Sequence, residues 1–102
     1  MDDSKFNELS EILFIELEDL LDNLGIDMQI NDDILIIEFD DNKQIYVNKH
    51  HVTKQIWVSS QNKAYHFNFE DNNWISTKDN QEIFVFLSSE LSGILGYNVK
   101  LK

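Results

Sequence analysis

The apolar residues of this chain change their spacing twice: helical at the start, alternating every second residue through the middle, and helical again near the end. The two patterns exclude each other, because successive strand residues point to opposite faces whereas helix neighbours recur at three and four positions. The order of elements is therefore helix, several strands, helix. From about Asp3 to Leu24 the residues Phe6, Leu9, Leu13, Leu17, Leu20 and Leu24 fall in one stripe, at the ~100° per residue of a helix. Glu8, Glu11, Glu18, Asp19 and Asp22 fall on the opposite side, and Gly25 stands where a left-handed residue ends a helix. Ile15 lies among these acids and is expected to be exposed. The second helix is expected to begin after Asp79, capped by it with Glu82 bonding back, and to bury Ile83, Leu87, Leu91 and Ile94 before Gly96 ends it.

Between the helices, Met28 to Asn31 and Ile34 to Phe39 read as a hairpin, followed by strands near Gln44 to Asn48, Gln55 to Ser59, Ala64 to Phe69 and Trp74 to Ser76. Asp, Asn and Gln occupy the gaps, as turns require. The predicted fold class is α+β: one domain over 1–102, a two-layer sandwich with the N-terminal and C-terminal helices on one face of an antiparallel sheet. Alternation turns Ile45, Val47, Ile56, Val58, Tyr65 and Phe67 toward the helices. It leaves Tyr46, Asn48, Gln55, Trp57 and His66 on the open face, with Trp74 placed beside them. A surface tryptophan among amides suits a partner-binding patch; the simpler role is shielding of the sheet.

Charge narrows the function. Fourteen of the nineteen acids lie in the first 41 positions, where Lys5 is the only base, so nearly all of the net charge of −11 sits in one stretch. Self-repulsion of that kind destabilises a compact domain and is relieved by a cationic ligand or partner. There is no cysteine and no arginine. The first excludes disulfides, thiolate metal sites and cysteine nucleophiles; the second, with a pI near 4.4, leaves no electrostatic footprint for nucleic acid. An acidic N-terminus and the lack of a long apolar run imply no membrane span and a cytoplasmic location. The metal candidates are Glu8, Glu11, Glu18, Asp19 and Asp22 on the first helix, with Asp27, Asp32 and Asp33 beyond it. Such carboxylates suit hard cations, held weakly and without selectivity, since no spacing motif closes a cage. The same residues without a ligand would be a solvated helix face.

His50 and His51 are expected to diverge in a polar turn, with His66 facing outward beside Trp57 and no histidine on the acidic face. Ser59 and Ser60 have no evident histidine and acid arrangement, and no glycine-rich phosphate loop is present, so neither catalysis nor an organic cofactor is expected.

The run from Asn48 to Ser60, in which Asn48 is followed seven residues later by Gln55, Ile56, Trp57, Val58 and Ser59, resembles the signature of the frataxin family in its bacterial form. Tyr65, His66 and Phe67, then Trp74 and Ile75, then Leu87, Glu90 and Leu91 continue the likeness, and Glu18, Asp19 and Asp22 resemble the family's acidic helix. The chain departs from the pattern at His50 and Val52, where the family usually has glutamine and proline, so the likeness does not extend to that loop's contacts. The resemblance implies an accessory and regulator of iron–sulfur cluster assembly that binds ferrous or ferric iron weakly. Its implied partners are a cysteine desulfurase and an iron–sulfur scaffold protein, contacted through Asn48, Gln55 and Trp57. It implies no active site, with weak ferroxidase-type activity left open, and a monomer with iron-induced oligomers also left open. The alternatives from other classes are an acidic divalent-cation buffer and a nucleic-acid-mimicking interaction protein.

Overall fold

A computed structural model describes all residues from Met1 to Lys102. Helix α1 (Asp3–Asn23) is followed by strands β1 (Met28–Asn31), β2 (Ile34–Glu38), β3 (Gln44–His50), β4 (Gln55–Ser60), β5 (Lys63–Glu70) and β6 (Asn73–Ser76), and by helix α2 (Ile83–Leu95). The strands form a six-stranded sheet in the order β1-β2-β3-β4-β5-β6, each pairing antiparallel with the next. A meander of this kind follows from short polar turns; Asp71 and Asn72, with φ of 50° and 66°, supply the two left-handed residues of a two-residue hairpin.

Both helices cover one face of the sheet, as alternation predicts. Leu35, Ile37, Ile45, Val47, Ile56, Val58 and Phe67 are buried beneath Phe6, Leu13, Phe14, Leu17, Leu21, Ile83, Phe86, Leu87 and Leu91. The opposite sheet face carries no helix.

Four expectations are corrected. The buried stripe of α1 is turned toward Ser10, Phe14 and Leu21, while Leu9 and Leu20 lie at its rim and Leu24 is exposed; the buried Ser10 hydroxyl donates to the carbonyl of Asn7 at 3.3 Å. The cap of α2 is Glu82, whose side chain accepts from the N–H groups of Phe84 and Val85 at 3.0 and 3.2 Å. Asp79 instead caps a turn by accepting from the N–H of Gln81, because Asn80 adopts a left-handed backbone (φ 61°) that separates it from the helix. Trp74 belongs to the core, 4 % exposed, edge-on to Phe6 and Phe69; its partner across the hairpin is Phe69, a helix-side residue.

The fourth correction concerns the C-terminal tail: the sequence lets Val99 and Leu101 alternate inward, as they do, but predicts that so short a segment seals little of the cleft between the helices. Its six residues after Gly96 run back along α2, and Val99 and Leu101 are buried. Ser92 Oγ accepts from the N–H of Val99 and Ser88 Oγ accepts from the N–H of Leu101, at 2.8 and 2.9 Å. Two serines one helical turn apart thus act as rungs for an extended segment, and Lys102 at its end pairs with Glu16 of α1.

Candidate functional site

The molecule offers two surfaces of different chemistry. The first is the outer face of α1 continuing into the β1–β2 hairpin. Its acids divide according to where the lysines fall. Lys49 follows Ile45 and Val47 in the alternation of β3 and so points under α1; its side chain is only 8 % exposed and its Nζ lies 2.7 Å from Glu11. The ammonium also sits 4.6 Å from the centre of the Phe14 ring, a cation–π contact. Lys5 pairs with Glu8, His51 with Asp33 at 3.0 Å, and Lys54 with Asp3 at 2.6 Å. The hydrogen bond and charge of Lys54 hold the Asp3 carboxyl below its ordinary range.

These partners cluster at the N-terminal end of α1 and the β3–β4 turn. None reaches Glu18, Asp19, Asp22, Asp27 or Asp32, which are exposed and have no basic partner. Of the eight predicted metal candidates, the structure therefore leaves five as free carboxylates along one edge and engages Glu8, Glu11 and Asp33. Ile15, among the acids, is 51 % exposed, as expected. No three acid or histidine side chains are gathered closely enough to hold a metal ion. The donor set suits a hydrated cation moving over an open anionic surface rather than an enclosed centre.

The second surface is the open sheet face. Asn48 lies opposite Trp57, and Trp57 opposite His66, across neighbouring strands. The Trp57 indole is sandwiched between two imidazoles. His50 stacks on one face at 3.6 Å between ring centres and 7° between planes, and His66 stacks on the other at 4.1 Å and 5°. Trp57 Nε1 donates to Gln55 Oε1 at 2.8 Å, and Gln55 Nε2 donates to Asn68 Oδ1 at 2.9 Å. Both ends of the Gln55 amide are thus fixed, whereas these bonds leave the amide of Asn48 unengaged. Tyr46 lies across from Ile36 on this face, its hydroxyl donating to Gln44.

Sequence reasoning placed Tyr46, Asn48, Gln55, Trp57 and His66 correctly together but missed His50 and Asn68. The side chains of His50 and His51 diverge as expected, to Trp57 and to Asp33, but His50 is the last residue of β3 and not a turn residue, and its Nδ1 is 2.7 Å from Thr53 Oγ1. Its even position in register with Tyr46 and Asn48 is the signal that would have found it. No histidine meets the acids on the outer face of α1, as expected, but His51 pairs with Asp33 of the β1–β2 turn. No element forms a nucleophile with a base and an acid around Ser59 or Ser60; Ser60 instead donates to the buried Glu90 at 2.8 Å, which Lys63 also meets.

This geometry has counterparts. Residues 1–97 match the family model of the frataxin-like domain. An "iron-sulfur cluster assembly protein CyaY" of Neisseria meningitidis serogroup A is 33 % identical over 99 % of this chain and 96 % of its own length. The protein of the same name from Neisseria gonorrhoeae is 32 % identical over the same shares. Among solved structures, the frataxin of Psychromonas ingrahamii superposes with a TM-score of 0.94 over 100 % of this chain and 99 % of its own, at 23 % identity, a likeness of fold. With two helices on a six-stranded antiparallel sheet and a family match running almost end to end, the chain belongs to the frataxin-like family.

Proposed function

We propose that this protein is an accessory of iron–sulfur cluster assembly, as its CyaY-named relatives are, that accepts iron cations on the α1 edge and docks through its open sheet face on a cysteine desulfurase and scaffold complex. It acts in the bacterial cytoplasm as a monomeric regulator and not as an enzyme; none of its helices is long and apolar enough to cross a membrane. The observation that carries this reading is the division of its surface. Lysines engage the acids at one end of α1 and leave Glu18, Asp19, Asp22, Asp27 and Asp32 free, while the sheet face offers a fixed amide and aromatic array with an unengaged Asn48. The first attracts cations and basic protein surfaces at long range. The second supplies a desolvated anchor.

The test is co-purification with a cysteine desulfurase and its scaffold, with and without ferrous iron. Trp57→Ala and Asn48→Ala are expected to weaken the complex while the domain stays folded. Reversal of Glu18, Asp19 and Asp22 to lysine abolishes ferrous-ion shifts on α1 and lowers affinity. Reversal of Glu70, Asp71 and Asp79 does neither. Equal effects of the two reversals would leave only net charge as the cause and defeat the reading; a bare cation buffer would bind iron and ignore Trp57→Ala.

A further inference from the structure

A third site lies at the pole where the two helices end, sharing Asp27 with the acidic edge and no residue with the open sheet face. A cleft of about 410 Å³ opens between the α1–β1 link, the β2–β3 turn and the end of α2. Its floor and lips are apolar: Ile26, Phe39, Ile94 and Leu95 are partly buried against the core, while Leu24 and Tyr97 stand 45 % and 61 % exposed. Its rim carries the carboxylates of Asp27, Glu38, Asp40 and Asp41. Only Lys43, paired with Asp41 at 3.2 Å, offsets them.

The helices add to this potential. Neither α1 nor α2 has a basic residue in its last turn, so no side-chain cation offsets the negative end of either macrodipole, although the N–H groups of Leu24, Gly25 and Ile26 reach the last carbonyls of α1. The residues after α2 return only one backbone hydrogen bond to it, from Gly96 to Ser92, so no backbone donor reaches the carbonyls of Ile94 and Leu95. An apolar concavity of this size accommodates one or two large side chains, and its surroundings demand positive charge and hydrogen-bond donors beside them. We propose that this pole binds a partner's peptide segment in which a large apolar side chain is flanked by lysine or arginine. The flanking stems cover apolar surface while their charged heads reach the rim. A metal cation alone would leave the floor uncovered, and a second copy of the chain would bring another net charge of −11.

The site needs neither iron nor the open sheet face, so it stands or falls independently of the proposed function. The probe is an acetylated and amidated peptide Lys-Arg-Leu-Phe-Arg-Lys at low salt, followed by amide chemical shifts of the isotope-labelled full chain. A second peptide has glycine in place of leucine and phenylalanine. The apolar peptide is expected to shift Ile26, Phe39, Leu95 and Tyr97 saturably and to bind at least about ten-fold tighter than the glycine peptide, the effect of burying one large side chain. Tyr97→Ser and, separately, Asp40→Asn/Asp41→Asn should each weaken it several-fold; both alter exposed side chains, and the second leaves the apolar floor intact. Equal affinity for the two peptides, shifts confined to Glu18 through Asp22, wild-type affinity in both variants, or a concentration-dependent dimer with no peptide shifts would each overturn the proposal.

Discussion

The free carboxylates of α1 should lower the stability of the domain, and the size of the effect can be worked from their positions. Glu18 and Asp22 are one helical turn apart, Asp19 and Asp22 three positions apart, and none has a basic partner. Like charges at such spacings destabilise a helix by about 0.2–0.5 kcal/mol per pair. Asp22 also lies in the last turn of α1, where a negative charge opposes the macrodipole at a cost of about 0.3–1 kcal/mol. Glu18→Gln/Asp22→Asn removes both pairs and the dipole conflict, a gain of about 0.7–2 kcal/mol at low salt. For a domain of this size that raises the melting midpoint by about 4–8 °C per kcal/mol. Sodium chloride should narrow the gap by screening. Magnesium or manganese at matched ionic strength should stabilise the wild type more than the variant, because cations bound only to the folded edge shift the equilibrium by mass action. The assay is thermal melting in the three salts, with Glu70→Gln/Asp71→Asn as a control of equal charge change. A variant that melts below wild type at low salt would show that these carboxylates make structural contacts, and the reading of the edge as a strained binding surface would fail.

Leu101→Ala should cost about 2–3 kcal/mol, the lower part of the range for a buried leucine because a chain end collapses into the space easily. Urea denaturation of this variant alone and with Ser88→Ala should show a non-additive pair; independent effects would mean that the rung between Ser88 and Leu101 does not hold the tail. Titration should shape both ends of the stability profile. Asp3 is held below the ordinary carboxyl value of 3.8 by Lys54, so its contribution is present above that value and lost as pH falls through the folded pKa; Lys54→Met should flatten this acid limb. Lys63, raised above 10.5 by its bond to Glu90, contributes below that value and loses it as pH rises through the folded pKa, so Glu90→Gln should remove that part of the alkaline limb.

The fold was legible because its layers obey the two periodicities of secondary structure. Every strand was found, since polar turn residues bracket each alternating run and a one-residue slip would reverse the faces. What sequence missed depended on contacts between elements. Trp74 was misplaced because a four-residue strand offers too few alternations to fix its phase. Asp79 satisfied the local rule for a cap, and only the left-handed Asn80 shows that the helix starts later. The rungs of Ser88 and Ser92 carry no local signal, because a serine in a helix interior usually bonds its own preceding turn, as both of these also do. At the site, parity alone identified the open-face group. The stacking of His50 on Trp57 required the register of two strands.

The distribution of lysines explains why the acids of one helix divide into an engaged group and a free one. Lys49 is almost enclosed, so its charge demands a partner, and Glu11 meets it while keeping most of its own surface in water. Removing that ammonium would free Glu11 without burying a lone carboxylate, so the pair fixes the helix position more than it stabilises the fold. Lys54 and His51 similarly tie the β3–β4 turn to the start of α1 and to the β1–β2 turn, through Asp3 and Asp33. That turn directly follows His50, which stacks on Trp57. The engaged acids thus connect the start of α1 mechanically to the open sheet face. The free acids farther along the same helix carry the field. A cation bound among Glu18, Asp19 and Asp22 would change the potential seen by an approaching basic partner without moving Trp57, so under the proposed function a cation would act on encounter and the sheet face on what is held.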